Sequence, residues 1–270
     1  MKYKLIAMDL DGTLNNDEKC ITEETKRTLI LAQEQGVRLV LASARPSPGL
    51  YKERDILSMQ QYGGILMSYN GGRIVRADTG EVLSETVMDR EVTRYVLRML
   101  EKLPVTPILD DGVQFYVTDK TGFKVQYECQ NNRMTCSEVP NLAQWLPFEP
   151  VKILMSVQPA ELPQVQEQIA KKLPEELQVV QTAPFYLEII PKSIHKGQGI
   201  LEICSVLQIS PPEVIAFGDA QNDIPMLRSA GMGVAMGNAS DAVKASADYV
   251  TLSNNCDGIA AALHHLAGIG

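Results

Sequence analysis

The chain has 270 residues, of which 45% are hydrophobic and 21% are charged, as expected for a globular protein with one large domain or two modest ones. Its formal charge of −8, without any run of lysine or arginine, argues against nucleic-acid binding. Asp9 and Asp11 interrupt the first apolar stretch, and no other segment approaches a membrane span, so we expect neither a signal peptide nor a membrane anchor. Five scattered cysteines without CxxC spacing favour the reducing cytoplasm.

The first 70 residues alternate between apolar strands and helical segments. Strands are predicted over residues 4–8, 37–43 and 63–70, and helices over residues 22–35 and 48–60. This β-α-β-α-β order predicts a parallel sheet with helices on its faces.

The same alternation returns near the C-terminus. Helices are predicted over residues 196–208 and 224–230 and from residues 240 and 257 onwards, and strands over residues 214–219, 233–237 and 249–252. We therefore expect both ends of the chain to build one sheet.

The middle of the chain has a different pattern, with more aromatic residues. Helices are predicted over residues 89–103 and 161–173, and strands over residues 113–119, 151–157 and 185–190. The predicted fold is α/β: a doubly wound, Rossmann-like parallel sheet formed by residues 1–82 and 192–270, with an α+β domain inserted at residues 83–191.

Two aspartates follow the first predicted strand. In an open parallel sheet, ligands bind outside the carboxyl ends of the strands, and Asp9 and Asp11, two residues apart, can point into the same crevice. One of them could instead cap a turn while the other is solvated. However, two carboxylates this close repel each other unless a cation lies between them or one is protonated.

Further polar residues stand at other predicted strand and helix ends. The strand at 214–219 ends in Asp219, and Asn222 and Asp223 follow; these could cap a helix, but oxygen ligands from two strand ends also suit Mg²⁺. Ser43 follows the second strand, and Lys196 begins a helix, where anions are favoured. A single lysine is usually only solvated. Together, these residues can hold a metal ion and a phosphate.

These motifs resemble those of a known superfamily. The segment DLDGT at residues 9–13, Ser43, Lys196 and the segment GDAQND at residues 218–223 resemble, in order, the four motifs of the haloacid dehalogenase superfamily. The long insertion, NGG at residues 70–72 and LEIIPKSIHKG at residues 187–197 are similar to the Cof-type phosphatases, which carry an α/β cap. The resemblance covers essentially the whole chain.

The resemblance implies a catalytic role for each motif. Asp9 would be the nucleophile that forms an aspartyl-phosphate, Asp11 the acid that protonates the leaving group, and Ser43 and Lys196 would hold the phosphoryl oxygens. The implied Mg²⁺ ligands are Asp9, the backbone carbonyl of Asp11, Asp219 and Asp223. The implied substrate-binding residues are Gly12, Ala44, Arg45, Asn70, Gly71 and Asn222.

The resemblance implies that the protein is a Mg²⁺-dependent phosphatase that acts on small phosphorylated metabolites, with sugar phosphates as the first candidates. The cap would select the substrate. A hexose-phosphate mutase, which would require an added sugar bisphosphate, and a non-catalytic sensor of a phosphorylated metabolite are the alternatives. A dinucleotide-dependent oxidoreductase is disfavoured because no GxGxxG turn follows the first strand. The physiological substrate and the oligomeric state stay open.

Some features of the sequence depart from the family pattern or have no role in it. Ala44 stands where relatives usually have glycine, so the turn and the direction of Arg45 could differ. His195 before the lysine, and the adjacent His264 and His265, are expected at the surface. Asn238 begins an Asn-Ala-Ser sequence that matches a glycosylation acceptor, which has no meaning in a chain without a secretory signal.

Overall fold

The computed structural model describes residues 2–269. The chain divides into two compact units, Met1–Glu85 with Ile194–Gly270, and Thr86–Ser193. Within the described residues, no helix combines the length and the apolar character needed to cross a membrane.

The strands are short, as is usual in globular proteins. In chain order they are β1 (Leu5–Met8), β2 (Arg38–Ala42), β3 (Ile65–Ser68), β4 (Arg73–Arg76), β5 (Val82–Glu85), β6 (Val105–Asp110), β7 (Phe115–Val117), β8 (Cys136–Glu138), β9 (Ile153–Val157), β10 (Leu177–Ala183), β11 (Tyr186–Pro191), β12 (Val214–Gly218), β13 (Met232–Ala235) and β14 (Tyr249–Val250).

The α-helices lie between the strands, and α4 and α5 of the second unit were not predicted from the sequence. They are α1 (Glu23–Glu34), α2 (Tyr51–Ile56), α3 (Arg90–Leu100), α4 (Val125–Asn132), α5 (Leu142–Trp145), α6 (Leu162–Ala170), α7 (Lys196–Leu207), α8 (Ile224–Ser229), α9 (Asp241–Lys244) and α10 (Gly258–Ala267).

The first unit is built on one sheet with strand order β14-β13-β12-β1-β2-β3-β4-β5. Strand β1 lies in its centre and pairs in parallel with both β12 and β2. The strands from β14 to β3 are all parallel, whereas β4 and β5 are antiparallel additions. Because β1 has neighbours from both ends of the chain, the residues after β1, β2 and β12 meet at one edge of the sheet.

Both faces of this sheet are covered, which explains why β1 is apolar at every position. Ile6 and Met8 pack on one face in a cluster with residues of α1 and α10. Leu5 and Ala7 pack on the other face with residues of α7 and α8. The doubly wound α/β fold expected from the sequence is thereby confirmed.

The second unit has a six-stranded sheet of order β10-β11-β9-β6-β7-β8. All of its pairings are antiparallel except that of β7 with β8. Helices α3, α5 and α6 cover the face that carries Ile153 and Met155. Helix α4 packs on the opposite face, against Leu154 and Tyr186. This unit is the α+β insertion predicted between the two halves of the core.

Three local differences from the sequence predictions have physical reasons. The helix predicted over residues 48–60 is interrupted, because Ser58 adopts a left-handed φ of 52° and only short 3₁₀ turns flank α2. Residues 83–85 belong to the first unit rather than to the insertion, since β5 pairs with β4. Residues 192–193 group with the insertion, where Lys192 N donates to Glu176 O.

Candidate active site

Asp9 follows β1 and is only 7% exposed. Its backbone N–H donates to the carbonyl of Phe217 in β12 at 3.1 Å, so the chain stays in register with the sheet as far as this residue. Gly12 then turns the chain with a φ of +86°, a conformation that favours glycine. Thr13, three residues beyond Leu10, donates its N–H back to the carbonyl of Leu10 at 3.4 Å. The turn thus fixes the Asp9 carboxylate at the sheet edge.

Lys196 is the centre of the site. It is fully buried at the start of α7, and its Nζ donates to Asp9 Oδ1 at 2.5 Å and to Asp223 Oδ1 at 2.6 Å. Burial lowers the pKa of Lys196, but the carboxylates of Asp223 and Asp9 raise that pKa by more, so the ammonium form persists. Exposed His195 caps α7, because its Nδ1 accepts from Gln198 N at 3.1 Å.

Asp223 is fully buried, and both of its carboxylate oxygens are engaged. Oδ1 accepts from Lys196, and Oδ2 accepts from the backbone N–H groups of Asp219 and Ala220, at 3.0 Å each. Gly218 makes room for it, because a Cβ on Gly218 would lie 2.4 Å from the Asp223 Cβ. Asp223 therefore anchors both Lys196 and the turn after β12.

Asp219 lies beside Asp9 and is held from the opposite side of the turn. Thr13 Oγ1 donates to Asp219 Oδ1 at 2.7 Å, and a Cβ on Gly12 would lie 2.5 Å from Asp219 Oδ2. Asp9, Asp219 and Asp223 each bring a carboxylate oxygen to within 4.8 Å of the others. Burial raises the pKa of Asp219. These facts place three acids around one lysine.

This excess of negative charge fits a bound cation. Burial raises the pKa of Asp9 from 3.8 to about 7, because Lys196 lowers it less than burial and the charges of Asp223 and Asp219 together raise it. Asp9 uses one oxygen for Lys196 and Asp219 uses one for Thr13, so each has a second oxygen to offer. Hard carboxylate oxygens are the ligands that Mg²⁺ prefers.

Asp11 is the least buried acid of the site, with its side chain 49% exposed. Arg45 forms a forked pair with it: Nη2 donates to Asp11 Oδ1 at 2.8 Å and to Oδ2 at 2.7 Å, and Nε donates to Oδ2 at 3.0 Å. Ala44 has no left-handed φ, so alanine fits this turn without strain. Ser43 is buried, and its Oγ accepts from Arg45 N at 3.2 Å.

The loop after β3 carries Asn70 into the same region. Tyr69, Asn70 and Gly71 all have left-handed φ values, of 52°, 58° and 100°. Asn70 N donates to the carbonyl of Ser43 at 2.8 Å, and Asn70 Oδ1 accepts from Asn222 Nδ2 at 3.0 Å. The loops that follow β2, β3 and β12 are therefore tied to one another.

All twelve residues proposed for the site from the sequence lie in the first unit, in or beside the loops that follow its strands and at the start of α7. Two residues that hold the site together had no role in the sequence analysis. Thr13 stood in the DLDGT segment, and the structure makes it the partner of Asp219. Asn238 stood in the Asn-Ala-Ser sequence, and its Nδ2 donates to the carbonyl of Gly12 at 2.8 Å. The sequence signal that could have added Asn238 to the site is its position directly after β13, the strand next to β12.

A parallel sheet with this set of acids and a buried lysine at its carboxyl edge suits the binding of a metal ion and an anionic substrate. The chain belongs to the haloacid dehalogenase-like hydrolases, whose family model matches residues 6–263. The resemblance seen in the four motifs is confirmed by this match.

Individual relatives agree over nearly the full length. YxeH of Bacillus subtilis is 34% identical over 271 residues, which are 98% of each chain. A haloacid dehalogenase-like hydrolase from Bacteroides thetaiotaomicron, solved by crystallography, is 36% identical with a TM-score of 0.93, covering 98% of this chain and 100% of that one. A subclass IIB sugar phosphatase is 26% identical with a TM-score of 0.77, covering 99% of this chain and 100% of that one. The protein is thus a phosphatase of this superfamily.

Proposed function

We propose that the protein is a Mg²⁺-dependent phosphatase that hydrolyses small phosphorylated metabolites, with sugar phosphates as its substrate class. The observation that carries the proposal is the buried contact of Lys196 with Asp9, with Asp219 beside it and Asp11 two residues further along the chain. Mere binding of an anion does not require a buried carboxylate, which would repel the anion.

Asp9 is the nucleophile in this proposal. Its carboxylate attacks phosphorus, the bond from phosphorus to the ester oxygen breaks, and an aspartyl-phosphate forms. The repulsion between a carboxylate and a phosphate dianion must be offset by fixed positive charge, and Lys196 supplies one such charge at 2.5 Å from Asp9. Asp9, Asp219 and the backbone carbonyl of Asp11 would hold Mg²⁺, which would supply the remaining charge neutralisation.

Asp11 is the general acid and base. It gives a proton to the leaving oxygen in the first step and takes a proton from the attacking water in the second, so the acid is regenerated. Its partial exposure gives it access to a leaving group, and the fork of Arg45 fixes the position of its carboxyl group. Arg45 therefore positions Asp11 in this proposal, and its direct contact with the substrate stays a prediction from the sequence.

The phosphoryl oxygens are held by Ser43, Lys196 and the linked amides of Asn70 and Asn222, with Gly12, Ala44 and Gly71 shaping the loops. In this proposal Asp223 supports the metal site through Lys196 and the turn after β12.

The inserted unit selects the leaving group. The preference for sugar phosphates draws support from the similar structure described as a sugar phosphatase. The cysteines are all free thiols, in line with a cytoplasmic location.

Turnover of an aryl phosphate by the purified full chain tests the proposal. We expect Mg²⁺-dependent hydrolysis that Asp9→Asn abolishes while circular dichroism shows an intact fold, whereas Asp241→Asn on the exposed surface leaves the rate unchanged. Undiminished turnover in Asp9→Asn would refute the mechanism.

The role of Asp11 has its own test. Asp11→Asn is expected to slow hydrolysis of alkyl phosphates much more than that of aryl phosphates, because an aryl leaving group needs less protonation. Equal losses on both substrate types would count against Asp11 as the acid. A panel of phosphorylated sugars, nucleotides and cofactors then identifies the preferred substrate.

A further inference from the structure

The turn that carries Asp11 is closed by Asn15. Asn15 N donates to the carbonyl of Leu10 at 2.8 Å, and Leu14 N donates to the carbonyl of Asp9 at 3.2 Å. Asp11 and Asn15 also form an isolated β-bridge. A shift of Asn15 is therefore passed to Asp11 through the backbone.

The side chain of Asn15 is held by helix α2. It is 3% exposed, and its Nδ2 donates to Oε1 of Glu53, which is also 3% exposed, at 3.2 Å. The preceding residue of α2, Lys52, donates from Nζ to the carbonyl of Lys19 at 2.8 Å. Two consecutive residues of α2 thus fasten both ends of the segment 15–19.

The backbone of Asn15 is held from a second part of the chain. Asn254, in the 3₁₀ turn Asn254–Cys256 before α10, donates from Nδ2 to the carbonyl of Asn15 at 3.1 Å. Its backbone N–H donates to Oδ1 of Asn238 at 3.0 Å, and Asn238 is the residue that holds the carbonyl of Gly12. Polar side chains therefore support the turn from outside at both of its ends.

Stability alone does not favour the pair of Asn15 and Glu53. The Glu53 carboxylate is buried, with the Asn15 bond at 3.2 Å and the Lys52 Nζ at 3.8 Å. Asn15 Oδ1 is buried and has no hydrogen-bond partner among the described residues. Both features are costly, and apolar residues of similar size are often at least as stabilising in such a place. Leu14, the next residue, shows this alternative, because it lies in an apolar cluster.

Of the two aspartates, Asp11 depends more on this support. Asp9 is fixed independently, by its backbone bond to Phe217 and by the contact of its carboxylate with Lys196. Asp11 lies two residues beyond that backbone bond, and its side chain is 49% exposed. Its carboxyl group is in the right place only when both the turn and the fork of Arg45 are in place.

We propose that Asn15 and Glu53 are positioning residues for the general acid. Their hydrogen bond holds the turn so that the carboxyl group of Asp11 faces the leaving oxygen to which it gives its proton. Neither residue contacts the substrate in this account, since both side chains are buried. The inference rests on the proposed phosphatase function and deepens it, because it extends the acid's support from the site into α2.

The test compares two esters of similar shape, phenyl phosphate and 4-nitrophenyl phosphate. Phenolate is the more basic leaving group, so it needs protonation more than 4-nitrophenolate does. In the full chain with Mg²⁺, Asn15→Leu and Glu53→Leu should lower kcat/KM for phenyl phosphate about ten- to hundredfold, as for a misplaced catalytic group, and that for 4-nitrophenyl phosphate less than about threefold. Glu53→Gln keeps an acceptor oxygen for Asn15 and should lose much less than Glu53→Leu. Glu34→Gln, on the exposed end of α1, is the control and should change neither value.

A second step shows whether Asn15 acts through Asp11. Asp11→Asn should itself slow the phenyl ester more than the nitrophenyl ester, and adding Asn15→Leu should not widen that difference, because the acid is already absent. A residue that only stabilises the fold would not produce this coupling. If a single variant fails to fold because one buried polar group loses its partner, the double variant Asn15→Leu/Glu53→Leu removes both groups and takes its place.

The outcomes separate this inference from the proposed function. Equal losses on the two esters, no loss on either, or a further widening in the Asp11→Asn background would overturn the positioning role. A wild type that does not hydrolyse even 4-nitrophenyl phosphate would instead refute the proposed function itself.

Discussion

The burial of Asp9 carries a cost in stability that a mutation can reveal. Burial, with the charges of Asp223 and Asp219, raises the pKa of Asp9 from 3.8 to about 7 in spite of Lys196. Each tenfold change in proton affinity corresponds to about 1.4 kcal/mol, so the ionised form of Asp9 costs the folded protein about 4 kcal/mol. Asparagine has nearly the same shape and no charge. Asp9→Asn should therefore stabilise the protein when no metal is bound.

The sign of the effect depends on pH. Below pH 3.8 Asp9 is protonated in both the folded and the unfolded chain, and no cost arises. Between pH 3.8 and about 7 the unfolded chain ionises first, so the cost grows with pH, and above about pH 8 it is complete. The advantage of Asp9→Asn should thus be about 4 kcal/mol at pH 8 and under about 2 kcal/mol at pH 5.

Thermal denaturation in the presence of a chelator measures this difference. For a chain of this size about 4 kcal/mol corresponds to a rise in Tm of roughly 8–16 °C at pH 8. Adding Mg²⁺ should raise the Tm of the wild type more than that of the variant, because the cation offsets the same excess of charge. Exposed Asp241→Asn is the control. If Asp9→Asn has a lower Tm than the wild type at pH 8 without metal, the account of the buried charges is wrong.

Three further substitutions test how the site is held together. Asp223→Asn is expected to lower the free energy of unfolding by about 1–3 kcal/mol, because an amide cannot accept from both Lys196 and the backbone. The Mg²⁺ affinity, measured by calorimetry, should stay nearly unchanged. A large loss of affinity at unchanged stability would instead make Asp223 a direct ligand. Gly12→Ala should lower kcat about a hundredfold, since the new Cβ would lie 2.5 Å from Asp219 Oδ2, and kinetics equal to those of the wild type would contradict the close packing. Asn238→Ala frees the carbonyl of Gly12 and should lower kcat on an aryl phosphate about tenfold at a similar Tm, whereas an unchanged kcat would show that the turn holds without it.

Much of the first unit could be predicted from the sequence, because its signals are local. Buried parallel strands are apolar throughout, helices show apolar residues at helical spacing, and the polar residues that matter follow directly after strands. Asp9, Ser43 and Asp219 could be assigned to one edge of the sheet on this basis alone. Helix α4 of the second unit was not predicted, since its sequence is largely polar and its N-cap, Lys124, has a left-handed φ of 58°.

Contacts between distant parts of the chain required the tertiary structure. Lys196 and Asp9 are 187 positions apart, and no local pattern shows that this lysine is fully buried or that Asp223 shares it. The fork of Arg45 on Asp11 likewise depends on how two loops meet.

The sequence by itself determined which residue types stand at the strand ends, and therefore the kind of chemistry. Only the tertiary structure decided which of those residues touch, which are buried, and where further charged groups meet, as in the buried ion pair of Lys152 with Glu188 in the second unit. The physical reason is that strand and helix periodicity act over a few residues, whereas the burial and pairing of charges depend on packing across the whole unit.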